Sequence, residues 1–175
     1  KIDRMINVST DEVYGALKLG ENTFFTEDTP IMPNMPYAAA KAGGDLMCHA
    51  YWVTHKTPVI VTHCSNNYGP YQFPEKLIPF FIFKAMKDES VPVYGDGLNV
   101  RDWIHALDHS SALDLLLHKG VDGQVYNIGV DNERNNLEIT KTVLGIQVKP
   151  KTHITYVADR TGHDSSYAID ANKIM

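Results

Sequence analysis

A chain of 175 residues that is 43% hydrophobic and 21% charged has the composition of an ordinary globular protein. Its formal net charge of −5 leaves no basic footprint of the kind that binds nucleic acid. No apolar run approaches the roughly 20 residues that span a bilayer, and the longest, 77–83, is interrupted by Pro79.

Lys1 to Met5 carry no apolar core of a signal peptide and run straight into a strand-like segment at 4–8. So abrupt a start is expected of a piece of a longer chain. Residues 9–15 read as a loop leaving that strand. Residues 16–36 are polar, punctuated by Pro30, Pro33 and Pro36, and read as a long surface loop. The alanine-rich stretch 37–56 begins just after Pro36, stops before Pro58 and predicts a helix. Gly43 and Gly44 inside it predict close packing or a local irregularity. The β-branched run 58–62 predicts a second strand, followed by a loop over 64–74.

Residues 75–88 predict a helix with Pro79 in its first turn, where proline is tolerated. Short strands are expected at 91–94, 125–128 and 154–157, and helices at 106–118 and 137–144. Strands alternating with helices predict an α/β fold with a largely parallel sheet. Cys48 and Cys64 form neither a metal spacing nor a disulfide framework, which predicts a reducing, cytoplasmic setting. The pairs His105/His109 and His49/His63 lack an accompanying ligand pattern, so no metal is expected.

Five segments carry chemistry. In Tyr37-Ala-Ala-Ala-Lys41 the two polar residues stand four apart, on one face of the predicted helix. An ammonium beside a phenol favours the phenolate and lowers its pKa, which suits proton removal from a hydroxyl. Taken alone, the pair reads equally as a surface tyrosine and lysine. Ser9-Thr10-Asp11-Glu12 follows a strand, at the end where open α/β sheets bind ligands. Two adjacent carboxyls in different environments can serve as acid and base; a solvated acidic turn is the plainer reading. Asn66-Asn67-Tyr68-Gly69-Pro70 offers amides to hydroxyl groups, or is simply a turn. Arg101, after Tyr94-Gly95-Asp96-Gly97, could hold a diphosphate by paired hydrogen bonds, or form a structural pair with Asp102. Asp159-Arg160-Thr161-Gly162-His163 is a polar loop suited to a phosphate, or an ordinary exposed loop.

In this order and spacing, these segments closely resemble the extended short-chain dehydrogenases/reductases that act on nucleotide sugars, the NAD-dependent epimerase/dehydratase family. Phe73-Pro74-Glu75-Lys76-Leu77-Ile78-Pro79, Arg101-Asp102-Trp103 and Tyr126-Asn127-Ile128-Gly129 continue the match. The triplet Thr10-Asp11-Glu12 resembles the 4,6-dehydratase branch. The resemblance implies the C-terminal part of a Rossmann-type parallel sheet with an interleaved, smaller α/β substrate-binding domain. Residues 1–72 would belong to the NAD-binding part and 73–175 mainly to the nucleotide-sugar part, with the strand near 125–128 returning to the first sheet.

The implied reaction is dehydration of a nucleoside-diphosphate glucose to a 4-keto-6-deoxy sugar. Tyr37, eased by Lys41, would take the C4 hydroxyl proton, Glu12 the C5 proton, and Asp11 would protonate the departing C6 hydroxyl. Thr10 would bond the sugar near C4. Tyr37, Lys41 and Asn67 would face NAD. Asn66, Lys76, Leu77, Pro92, Val93, Tyr94, Arg101, Asn136, Asp159, Arg160 and His163 would hold the substrate, a dTDP-sugar or a UDP-sugar. Neither a membrane nor a nucleic-acid partner is implied, and the complete protein would be a homodimer. An epimerase or decarboxylase on the same scaffold would share Tyr37 and Lys41 without needing Asp11 and Glu12. A non-catalytic nucleotide-sugar-binding module is the alternative from another class. The family's opening Gly-x-x-Gly-x-x-Gly loop, which receives the cofactor's pyrophosphate at a helix N-terminus, has no match here, so the chain alone is expected to bind NAD poorly and to show no turnover.

Overall fold

The computed structural model describes residues 2–18, 20, 23–159 and 166–174. The chain opens with β1 (Met5–Thr10), a single 3-10 turn (Asp11–Tyr14) and helix α1 (Pro36–His55). Pro36 occupies the first helical turn, where its missing N–H costs nothing. The helix stops at Lys56, whose left-handed conformation (φ 51°) turns the chain toward Pro58. Only a narrow stripe of α1 is buried, Ala38, Ala42 and Asp45, at the spacing of one helical face.

Next come β2 (Val59–Cys64) and β3 (Asn66–Tyr68), then α2 (Leu77–Met86), β4 (Val91–Tyr94) and β5 (Val100–His105). Helix α3 (Ala106–Lys119), β6 (Val125–Ile128), β7 (Glu133–Asn135), α4 (Asn136–Ile146) and β8 (Ile154–Val157) complete it. Strand β2 is the centre of a parallel sheet ordered β1-β2-β6. Its run Val59 to His63 is buried throughout, as expected of a strand covered on both faces. The register sets Thr10 beside Cys64 and Cys64 beside Ile128, so the three carboxyl ends finish together. A second sheet, β3-β5-β7, begins where β2 ends, and β4 pairs with β8 in parallel.

Two apolar cores serve these layers. Ile60, Ile104, Leu116, Tyr126 and Ile128 fill the space between the first sheet, β5 and α3. Phe81, Ala85, Val91, Val143 and Leu144 join α2, α4 and β4. A third cluster, around Val13, Tyr14, Phe25, Ala42 and Ile169, seals the 3-10 turn against α1.

The fold is the expected α/β type. The loops expected at 9–15 and 64–74 are more ordered than that reading. The parallel ladder continues to the last residues of β1 and β2, and Asn66 to Tyr68 pair with Trp103 to His105. Strands β5 and β7 are additions, because their charged residues do not look like strand formers. Gly43 and Gly44 meet no close neighbour: a Cβ at Gly43 would enter open space, and one at Gly44 would reach only Asn7 Nδ2 at 3.9 Å.

Candidate active site

The carboxyl ends of β1 and β2, the start of α1, strand β3 and the strand β5 surround a cleft of about 940 Å³. Thr10, Asp11 and Glu12 form one wall, with Tyr37 beside them. Asn66, Asn67, Lys76, Leu77, Tyr94, Arg101 and Asn136 line it too, with Arg101 close enough to act on the Asp11 charge. Eleven of the residues singled out in the sequence thus share one space. Lys41, Pro92, Val93 and Asp159 lie outside its lining; Arg160 and His163 lie outside the described residues.

Thr10 ends β1 and caps the turn that follows it. Its hydroxyl accepts the Glu12 N–H at 3.3 Å and donates to Asp11 Oδ1 at 3.2 Å. Asp11 is buried, and its second oxygen, Oδ2, has no partner. Burial, then the neighbouring Glu12 charge, pushes its pKa up to about 7, against the opposing pull of Thr10 and Arg101. A carboxyl so placed holds a proton near neutrality and can give it up.

Tyr37 sits at the N-terminal end of α1, largely exposed at the cleft rim. Its phenol pKa is raised, first by burial and then by Glu12, Cys64 and Asp11. This corrects the expectation that Lys41 lowers it. Lys41 Nζ instead donates to the Val8 carbonyl on β1 at 2.6 Å. The Cys64 thiol, half-buried in the same cleft, is pushed up to about 11 by burial and by Asp11, which leaves it an inert thiol rather than a nucleophile.

Arg101 and Asp102 point to opposite faces of β5, as successive strand residues must. Arg101 lies with its guanidinium 4.4 Å from the Tyr167 ring centre and lines the cleft. Asp102 faces away and accepts the N–H groups of Val130 and Asn132 at 2.9 and 2.8 Å, a structural task. His105 likewise serves structure, accepting the Leu107 N–H at the start of α3. Among the described residues there is no cluster of three metal-binding side chains.

Several lining residues were given no role in the sequence reading: Ser65, Gln72, Glu75, Trp103 and Tyr167. Three of these matter chemically. Among the described residues, five buried side-chain polar atoms lack a hydrogen-bond partner, and four line this cleft: Asp11 Oδ2, Ser65 Oγ, Gln72 Oε1 and Trp103 Nε1. Orphaned polar atoms are rare in folded interiors, and so many around one cleft mark a surface built for a polar ligand. The mixture of donors and acceptors suits sugar hydroxyls and a carboxamide.

A parallel sheet whose carboxyl ends meet a Tyr-x-x-x-Lys helix and an acidic 3-10 turn defines a Rossmann-type protein of the short-chain dehydrogenase/reductase class. The profile of the GDP-mannose 4,6 dehydratase family matches residues 1–175, and the chain belongs to that family. A dTDP-glucose 4,6-dehydratase of Xanthomonas campestris pv. campestris is 49% identical over 98% of this chain and 51% of its own length. A solved dTDP-glucose 4,6-dehydratase from Bacillus anthracis str. Ames, in complex with NAD, is 53% identical with a TM-score of 0.92, covering 98% of this chain and 54% of that one. A dTDP-glucose 4,6-dehydratase from Streptomyces venezuelae, with NAD bound, is 45% identical with a TM-score of 0.95, covering 99% of this chain and 53% of that one. The chain spans about half the length of the curated relatives it matches.

Proposed function

We propose that the full-length protein containing this chain dehydrates a nucleoside-diphosphate glucose, dTDP-glucose in the first instance, to the 4-keto-6-deoxy sugar. The observation that carries this reading is Asp11: buried, with one oxygen unpartnered and a pKa near 7, beside Glu12 and in the same cleft as Tyr37. Simple C4 oxidation and re-reduction has no use for a neutral acid beside a second carboxyl; elimination of water needs both.

The residues fit the nicotinamide end of NAD, because the unpartnered Ser65 hydroxyl and Asn67 line the same cleft as Tyr37. NAD, when bound, supplies a hydride acceptor for C4 and returns the same hydride to C6. Tyr37 takes the C4 hydroxyl proton, and the resulting ketone acidifies C5–H. Glu12 removes the C5 proton while Asp11 protonates the departing C6 hydroxyl, which leaves as water. Glu12 returns its proton to C5 once C6 has received hydride. Thr10 holds Asp11 in place and faces the sugar. Asn66, Lys76, Leu77, Tyr94, Arg101 and Asn136 hold the nucleotide and its diphosphate, with Pro92, Val93, Asp159, Arg160 and His163 behind or around them.

In this reading the NAD-binding part comprises 1–72 together with β6, and most of 73–175 forms the nucleotide-sugar part. The separate core under α2 and α4 supports that division. A homodimer and a cytoplasmic location complete the proposal; exposed Leu46, Met47, Tyr51 and Val53 on α1 support a contact with another surface.

The test is direct. The full-length protein, given dTDP-glucose and NAD, yields a product lighter by one water, identified by mass spectrometry, and simultaneous Asp11→Asn and Glu12→Gln changes abolish it. Undiminished product from that double variant would overturn the assignment.

A further inference from the structure

Behind the acidic turn runs a buried polar chain that the reaction does not use directly. Asn7 Nδ2 and Ser9 Oγ, both on β1, donate to Asp45 Oδ1 and Oδ2, each at 2.8 Å. Asp45 Oδ2 lies 3.1 Å from His63 Nε2, and His63 Nδ1 lies 2.7 Å from the Tyr14 hydroxyl. Tyr14 donates to Asn127 Oδ1 at 2.8 Å, while Asn127 Nδ2 donates to the carbonyls of Phe25 and Asp170 at 3.0 and 3.1 Å. Ser9, Tyr14, Asp45, His63 and Asn127 are all buried.

The directions of these bonds are forced from one end. Two carbonyls fix the Asn127 amide, so its oxygen faces Tyr14. The single Tyr14 proton is then used, and His63 Nδ1 must carry a hydrogen and donate to the Tyr14 oxygen. The Asp45 and His63 atoms that face each other share one further proton, whichever of the two holds it. A buried pair of this kind adds little net stability over apolar packing, but it fixes geometry.

What it fixes is specific. Asp45 follows Tyr37 and Lys41 at successive intervals of four on α1. Ser9 immediately precedes Thr10, and Tyr14 closes the turn that holds Asp11 and Glu12. We infer that Asp45, His63 and Tyr14 are positioning residues that set the separation between Tyr37 on α1 and the Asp11–Glu12 turn, and so keep oxidation at C4 in step with elimination at C5 and C6. This inference rests on the dehydratase reading.

Three variants of the full-length protein, Asp45→Asn, His63→Gln and Tyr14→Phe, test it with dTDP-glucose and NAD. Each should lower kcat on the order of ten- to hundredfold with KM and dTDP binding little changed. Reduced nicotinamide should accumulate during turnover, seen by its near-ultraviolet absorbance, because elimination lags oxidation. Variants that lose only melting temperature, with kcat within about twofold of the parent and no such accumulation, would overturn the inference. Tyr14→Phe preserves the ring and serves where the charge variants fail to fold. Independently of activity, ring-nitrogen NMR of His63 in the parent protein should show Nδ1 protonated; a bare Nδ1 would break the chain and overturn the inference. A parent protein that leaves dTDP-glucose untouched overturns both readings, whereas normal parent turnover with undisturbed variants overturns this one alone.

Discussion

With its pKa pushed up to about 7, burial being the largest cause, Asp11 stays protonated in the fold where an ordinary aspartate is ionised. The sign follows. Above pH 7 the folded protein carries a buried charge that the unfolded chain accommodates freely, so stability contributed by the neutral carboxyl is lost as pH rises from about 4 through about 7. Asp11→Asn should therefore raise stability at pH 8 by roughly a few kcal/mol, with the gain shrinking toward pH 5, as thermal melts of the full-length protein will show. As the proposed acid of the elimination, the same group should give kcat/KM an alkaline limb near pH 7, where its proton is lost. Tyr37→Phe removes the phenol proposed to take the C4 hydroxyl proton and should lower kcat by at least about a hundredfold while dTDP still binds. The sequence placed Tyr37, Lys41 and the acidic triplet through their spacing. It could not reveal that Lys41 bonds the Val8 carbonyl, because that contact depends on where β1 ends relative to α1. Nor could it show that His63, which as a letter pairs with His49, belongs with Asp45.

Among the elements, those with apolar, β-branched or alanine-rich sequences were readable, and their ends fall within a few residues of the expected ones. Strands β4, β6 and β8 lie where their short apolar runs predict. Strands β3, β5 and β7 were hidden because their stabilising partners are distant. Asp102 of β5, for instance, is buried by accepting two backbone N–H groups some thirty residues away. Two substitutions test the joints. Asn135 and Glu138 form a reciprocal cap at the start of α4, each side chain bonding the other's backbone N–H. Asn135→Ala should cost about 1 kcal/mol in denaturant titration. Gly123, at φ 80°, donates its N–H to the Val59 carbonyl at 2.7 Å and lies against Trp52 of α1. A Cβ there would approach Trp52 Nε1 to 2.1 Å. Gly123→Ala should therefore destabilise by more than about 1 kcal/mol, combining backbone strain with a clash.

At the scale of the whole molecule, β1 is paired by β2 on one side only among the described residues, and Met5 and Val8 along it are exposed. An open strand edge with apolar side chains invites another chain. The 175-residue chain produced by itself should associate at micromolar concentration, and light scattering after size exclusion should show species heavier than one chain. Met5→Lys with Val8→Lys should shift the population back toward one chain. The two larger cores alternate along the sequence: Ile60 belongs to the first, Phe81 to Val91 to the second, Ile104 to Ile128 to the first again, and Val143 and Leu144 to the second. A backbone nick between β6 and β7 would divide the second core, leaving Phe81, Ala85 and Val91 on one fragment and Val143 and Leu144 on the other. Limited proteolysis in that connection should thus yield two bands on a denaturing gel yet one particle under native conditions, a chain severed but not separated.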